Sequence, residues 1–344
     1  DYWWTTLNKM RKFIKENNTI GIIAPSAGAY DIKKKNKFIN AKKNIEEKGF
    51  KVSLSKYLYT CEKGRSTNKF NRAEEINEVA ANENIDLILA ATGGDFCLEI
   101  LPYVDFEKLS KCNKYVAGFS DPTCILFPLT TKYDVATIYG QNFSPFGMEK
   151  LHKSQEDFIN IITGKKLEEE SYDLYEDGYQ ETTTGLEFYN LTKKVEWETL
   201  NNKDVNVEGR IIGGCLDIIS ELTGTKYDGT QKFIEKYKDD GIIWYFDNCE
   251  LNLDATIRVL WKLNELGYFK YTKAIIFGRF GCEESYYGYN NKTCLEDSIL
   301  NELDIPIIYN ADITHKSPCL TIINGSIATV SVKNNQGKIK FKLK

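Results

Sequence analysis

The chain has 344 residues, enough for two ordinary domains, and its 42% hydrophobic and 27% charged content is that of a folded globular protein. Lys plus Arg (45) against Asp plus Glu (49) leaves a net charge of −4, which offers no electrostatic footprint for nucleic acid or an anionic membrane. No apolar run approaches the ~20 residues of a membrane span, and the start Asp1-Tyr2-Trp3-Trp4 lacks the pattern of a signal peptide; the nine cysteines are scattered with no CxxC pair, so a cytoplasmic protein with reduced thiols, no metal, and a small or peptidic partner is expected.

The first ~165 residues alternate strand and helix patterns, the signature of a parallel sheet. Thr19–Ala24 reads as a buried strand ended by Pro25-Ser26. A helix with Phe38, Ala41 and Ile45 on one face follows, then a second carrying Phe70, Ala73, Ile76 and Val79. Asp86–Ala90 is a strand running into Gly93-Gly94, Tyr115–Phe119 a strand running into Ser120-Asp121-Pro122, and Val135–Tyr139 another. The acidic stretch over 166–184 reads as a solvated linker. From 185 to 344 the pattern is mixed α/β, with a strong helix over Leu253, Ile257, Leu260 and Leu263, strands at Ala274–Phe277 and Leu320–Ile323, and a hairpin at Asn334–Gly337. The expected organisation is an N-terminal Rossmann-like domain (1–165), the linker, and a C-terminal mixed domain (185–344).

Ligands of open α/β sheets sit beyond the carboxyl ends of the strands, so the strand exits are the places to look for chemistry. Gly118-Phe119-Ser120-Asp121 has the logic of a nucleophile elbow: a small residue permits the turn, and the N–H of Asp121 is available to an oxyanion. Pro122 stands where G-x-S-x-G would need its second glycine, and a plain helix cap remains an alternative. Gly93-Gly94 suits either an ordinary turn or a backbone that approaches a ligand closely, and no phosphate-binding glycine pattern accompanies it. Only two histidines exist, His152 and His315, and the latter lies in the polar segment Asp312–Pro318. Asp247 and Glu250 follow the apolar run Gly241–Phe246; either could orient an imidazole, and Glu250 or Asp254 could instead cap the next helix.

Taken together, Gly21–Ser26, Arg72-Ala73, Gly93-Gly94, Gly118–Asp121, Gly209–Gly214, Leu222–Thr225, Gly278-Arg279 and the Asp312-x-x-His315-x-x-Pro318 element resemble the LD-carboxypeptidase family over nearly the whole chain. The resemblance implies a Rossmann-like domain joined to a mixed domain with barrel-like β structure, usually as a homodimer, with a Ser–Glu–His site at the domain junction and no cofactor. It implies Ser120 as nucleophile, His315 as general base, and the N–H groups of Gly94 and Asp121 as oxyanion hole, beside Gly93. The family's glutamate falls at Asp247, whose shorter side chain would lie ~1.3–1.5 Å short unless the backbone compensates, the alternative being a catalytically degenerate homologue that binds peptide without turnover. The implied substrate is murein tetrapeptide, which loses its terminal D-Ala. In the branch conferring microcin C immunity the substrate is an aminoacyl or peptidyl adenylate, for which Trp197 is a candidate stacking residue; its alternative is a packed linker residue.

Overall fold

A computed structural model describes residues 9–344; the apolar start Asp1–Trp4 lies outside the described residues. The chain divides into two compact units. The first comprises the described residues up to Lys166 together with Gln180–Phe188 and Thr321–Ile323, and the second comprises Leu167–Tyr179, Tyr189–Leu320 and Asn324–Lys344.

Unit 1 runs β1 (Thr19–Ile23), α1 (Ile32–Glu47), β2 (Lys51–Ser53), α2 (Lys69–Ala81), β3 (Leu87–Ala90), α3 (Phe106–Lys111), β4 (Tyr115–Gly118), α4 (Thr123–Tyr133), β5 (Thr137–Tyr139) and α5 (Lys153–Ile162). β1 pairs in parallel with β2 and β3, β3 with β4, and β4 with β5. A short strand near the C-terminus, Ile322–Asn324, completes the sheet beside β5. β3 and β4 are buried along their whole length, as strands covered on both faces require. α1 buries Phe38, Ala41 and Ile45 and is N-capped by Asp31.

α2 departs from its apolar pattern. Phe70 is exposed and packs at a tilt against Tyr103, while Arg72 and Glu75 turn inward with Ala73 and Ile76. The helix is rotated because these two polar side chains satisfy backbone groups at the strand exits. Arg72 donates to the carbonyls of Pro25 (2.9 Å) and Phe96 (3.0 Å), and Glu75 accepts from the N–H of Ala24 (3.0 Å).

Unit 2 runs β6 (Glu168–Glu170), β7 (Leu174–Tyr175), β8 (Lys193–Lys194), β9 (Glu198–Thr199), β10 (Val205–Cys215), α6 (Leu216–Leu222), α7 (Thr230–Lys236), β11 (Ile242–Asp247), α8 (Leu253–Glu265), β12 (Thr272–Gly278), α9 (Asn291–Glu296) and β13 (Ile307–Ala311). After β14, the Ile322–Asn324 strand already placed, β15 (Ile327–Lys333) and β16 (Gln336–Lys342) close the chain as the expected hairpin, with Asn334 and Asn335 both at positive φ. The sheet order is β6-β16-β15-β10-β11-β12-β13-β9, with β10 to β13 parallel and the flanks antiparallel. No pairing among the described residues joins β6 to β9, so this is an open sheet order rather than a closed barrel.

The acidic run 168–170 is no free linker. It forms β6, paired with β16, and Glu168 and Glu170 both lie 3.4 Å from Lys338. Two like-charged side chains on one face, opposite a lysine on the partner strand, let a segment that reads as solvated pair into sheet.

Candidate active site

In unit 1 the turn after β4 presents the half-buried Ser120 at a strand exit. Ser120 sits at φ +69°, a left-handed conformation that costs a non-glycine residue about 1–2 kcal/mol and is tolerated where surroundings over-determine it. The surroundings here do so. Asn142 brackets the preceding residue, accepting from the Phe119 N–H (2.9 Å) and donating to its carbonyl (3.0 Å). The N–H of Ser120 donates to the Tyr139 hydroxyl (3.3 Å), and its carbonyl accepts from Thr123 in the first turn of α4 (2.9 Å). Gly118 is required because a Cβ there would lie 2.7 Å from Pro122.

Gly93 comes close enough that a Cβ on it would stand 3.3 Å from the Ser120 Cβ and 3.4 Å from its Oγ. Among the described residues, the N–H groups of Gly94 and Asp121 are taken by no backbone or side-chain acceptor. The Asp121 side chain is buried and accepts from the N–H of Cys97 (2.9 Å), which ties the β3 exit to the β4 exit. Burial pushes its carboxyl up, against the opposing pull of Ser26 and that N–H.

In unit 2, β11 ends at Asp247, fully buried, whose Oδ1 lies 2.9 Å from Nδ1 of His315. The shorter acid therefore reaches the ring without a glutamate. The turn that follows is clamped by Asp217 at the start of α6. Asp217 Oδ2 accepts from Cys249 (2.8 Å), and Oδ1 accepts from Glu250 (2.8 Å) and Leu251 (2.9 Å). Burial alone would depress the His315 imidazolium; the charge and hydrogen bond of Asp247, with Cys249 adding to them, outweigh it and hold His315 well above the ordinary histidine value. The Cys249 thiol is pushed up chiefly by burial. Tyr179, 88% exposed, also approaches that thiol.

The structure thus joins Asp247 to His315 within unit 2 and sets Gly93 beside Ser120 within unit 1. Glu250 is exposed and contributes only its backbone N–H to Asp217, and the N-cap of α8 is Asn252 rather than Glu250 or Asp254. His152 caps α5, accepting from the N–H of Ser154 (3.0 Å).

Trp197 does not have the setting of a stacking residue. It is wholly buried, its Nε1 donates to Asp312 (3.0 Å), and its ring packs so tightly on Gly337 that a Cβ there would lie 2.0 Å away. The indole N–H finds its buried acceptor and leaves no face for a ligand. The residues that sequence reasoning missed are Asn142, Tyr139, Asp217 and Cys249. All four act through contacts distant in sequence, and no local spacing signals them.

Comparison with known proteins bears on both units. Residues 20–140 match the model of the LD-carboxypeptidase N-terminal domain, and residues 208–330 match that of the LD-carboxypeptidase C-terminal domain. The Microcin C7 self-immunity protein MccF of Escherichia coli is 27% identical over 325 residues, covering 92% of this chain and 91% of its own. A solved MccF-like protein from Bacillus anthracis superposes with a TM-score of 0.83 at 24% identity, covering 97% of this chain and 99% of its own. The muramoyltetrapeptide carboxypeptidase from Oxalobacter formigenes gives a TM-score of 0.72 at 22% identity, covering 94% and 98%. With both halves matched in order and the strand-exit motifs in place, the chain belongs to the LD-carboxypeptidase family.

Proposed function

We propose that the protein is a serine peptidase that hydrolyses an amide bond between an L- and a D-configured centre, with murein tetrapeptide as the first substrate to try. The observation that carries this reading is the 2.9 Å pair between His315 Nδ1 and the buried Asp247. A carboxylate in that position holds the imidazole with its proton on Nδ1, leaving the other ring nitrogen to act as a base. In this reading His315 takes the Ser120 proton as the hydroxyl attacks the scissile carbonyl, and returns it to the leaving amine. The N–H groups of Gly94 and Asp121 receive the developing oxyanion, and water then releases the acyl group from Ser120.

A second substrate, an aminoacyl or peptidyl adenylate, is favoured by the extent of similarity to MccF, which has been solved in complex with aspartyl sulfamoyl adenosine. Since Trp197 is enclosed, an exposed ring to test is Tyr179, which approaches Cys249 in the turn after Asp247. The test is incubation of the purified protein with murein tetrapeptides and with an aminoacyl sulfamoyl adenosine, read by mass spectrometry, alongside labelling by a serine-directed phosphonate. Release of D-Ala with the label on Ser120 supports the first reading. Cleavage of the adenosine compound alone, lowered by Tyr179→Ala, supports the second. No turnover of either and no labelling of Ser120 removes both.

A further inference from the structure

The Gly278-Arg279 motif has no part in the chemistry above, yet Arg279 is only 3% exposed and every hydrogen bond of its guanidinium goes to the segment that carries His315. Nη1 meets Asp312 Oδ1 at 2.5 Å, three residues before the histidine. Nη2 donates to the carbonyl of Lys316 (2.7 Å), one residue after it, and to that of Pro318 (3.1 Å), three residues after it. The contact is returned, since the Thr314 hydroxyl donates to the Arg279 carbonyl (2.8 Å). Tyr175 covers the guanidinium at 4.3 Å from its ring centroid.

Gly278 makes this approach possible, because a Cβ there would lie 1.6 Å from the carbonyl oxygen of Ile313. The neighbouring Lys316 side chain is directed elsewhere, to Asp177 (2.9 Å) and Glu283 (2.6 Å). The segment is therefore gripped at three points on both sides of His315.

We propose that Arg279 is the positioning residue of the base: its planar fork sets the 312–318 loop so that the His315 imidazole meets Asp247. The inference rests on reading His315 as the base. A fork with several fixed donors is what the geometry uses, and a lysine, with one compact ammonium, cannot span the carboxylate and both carbonyls. A buried ion pair serving only stability would be replaceable by apolar residues of like volume. Here each hydrogen bond of the guanidinium itself falls on the loop, on both sides of His315, with Tyr175 covering it.

The chain's two histidines make the test direct. In protein labelled with 15N-histidine, His315 reports its contact with Asp247, while His152, at the start of α5, serves as internal control. Asp247 at the end of β11 and Cys249 in the turn beyond it face His315 and raise its titration. Arg279→Lys is expected to move the His315 titration down toward the ordinary histidine value and leave His152 unchanged. On a turned-over substrate it should lower kcat by ~10- to 100-fold, as a displacement of about 1 Å does, with KM little altered.

The double variant Arg279→Met with Asp312→Asn removes both buried charges and is expected to do the same. A lower Tm with the His315 titration and kcat untouched would show a merely structural residue and overturn the proposal. If neither variant folds, the wild-type protein decides: resolved, slowly exchanging Arg279 Nη–H signals support the grip, and a freely rotating guanidinium refutes it. The histidine titration requires no substrate, so absence of turnover would sink the proposed function and leave this inference separately measured.

Discussion

Ser120 and Asp247 carry the sharpest residue-scale expectations. Ser120→Ala is expected to abolish hydrolysis with the fold intact. Ser120→Gly should do the same while leaving stability unchanged or raising it by up to about 1 kcal/mol, because it relieves the left-handed strain at φ +69°. Urea denaturation of the two variants checks this, and a Gly variant markedly less stable than Ala would refute the strain.

Asp247→Asn should lower kcat by roughly 10⁴-fold, because the amide favours the wrong tautomer. The pH profile has a definite sign. His315 is raised above its unfolded value, so its contribution to stability is full below the unfolded pKa of about 6.5 and is lost as pH rises through the folded pKa. Activity, which needs the neutral ring, should rise over that same alkaline window, and Asp247→Asn should move the acidic limb to lower pH. A limb that stays put would mean Asp247 does not face the working base. By side-chain length alone, a glutamate has the better reach. With Oδ1 already at 2.9 Å in a fully buried site, Asp247→Glu now has to overpack and should reduce activity.

At the scale of elements, the turn after β11 is held less by its own residues than by the start of α6. Asp217→Ala deprives Cys249, Glu250 and Leu251 of their shared acceptor and is expected to cost about 2 kcal/mol of stability. It should also lower kcat, since the turn begins two residues beyond Asp247. Thermal denaturation with steady-state kinetics on the variant measures both, and a wild-type kcat would separate the turn from the acid. The elements themselves were legible where burial is simple: β1, β3 and β4 are short apolar runs, and α1 buries the three residues its period marks. α2 was legible as a helix but not in its facing. Periodicity assigns Phe70 inward, whereas Arg72 and Glu75 gain more by reaching buried backbone groups.

For the molecule as a whole, the units do not coincide with halves of the chain. Unit 1 takes Gln180–Phe188, where Glu149 donates to the Leu186 carbonyl (2.7 Å) and Lys33 to that of Thr182, and takes Thr321–Ile323, which holds most of the β14 strand. A fragment of residues 9–166 should therefore lack the strand beside β5 and expose an unpaired edge. Expressed alone, it is expected to aggregate or to show no cooperative thermal transition, and a monomeric fragment with a sharp transition would contradict the division. Among the described residues no helix is long and apolar enough to cross a membrane.

What the sequence determined by itself was local: which runs are strands, where they turn sharply, and that Ser120, Asp247 and His315 stand at such places. Period and turn chemistry depend on near neighbours, and the strand-exit motifs that resemble the family are contiguous. Tertiary structure decided what depends on partners far along the chain. It brought Asp247 and His315, 68 positions apart in the chain, to 2.9 Å, made a buried strut of Trp197, and paired the acidic run of β6 with the lysine-bearing β16. A polar side chain is satisfied by whichever group the fold brings to it, and that group is not written beside it in the sequence.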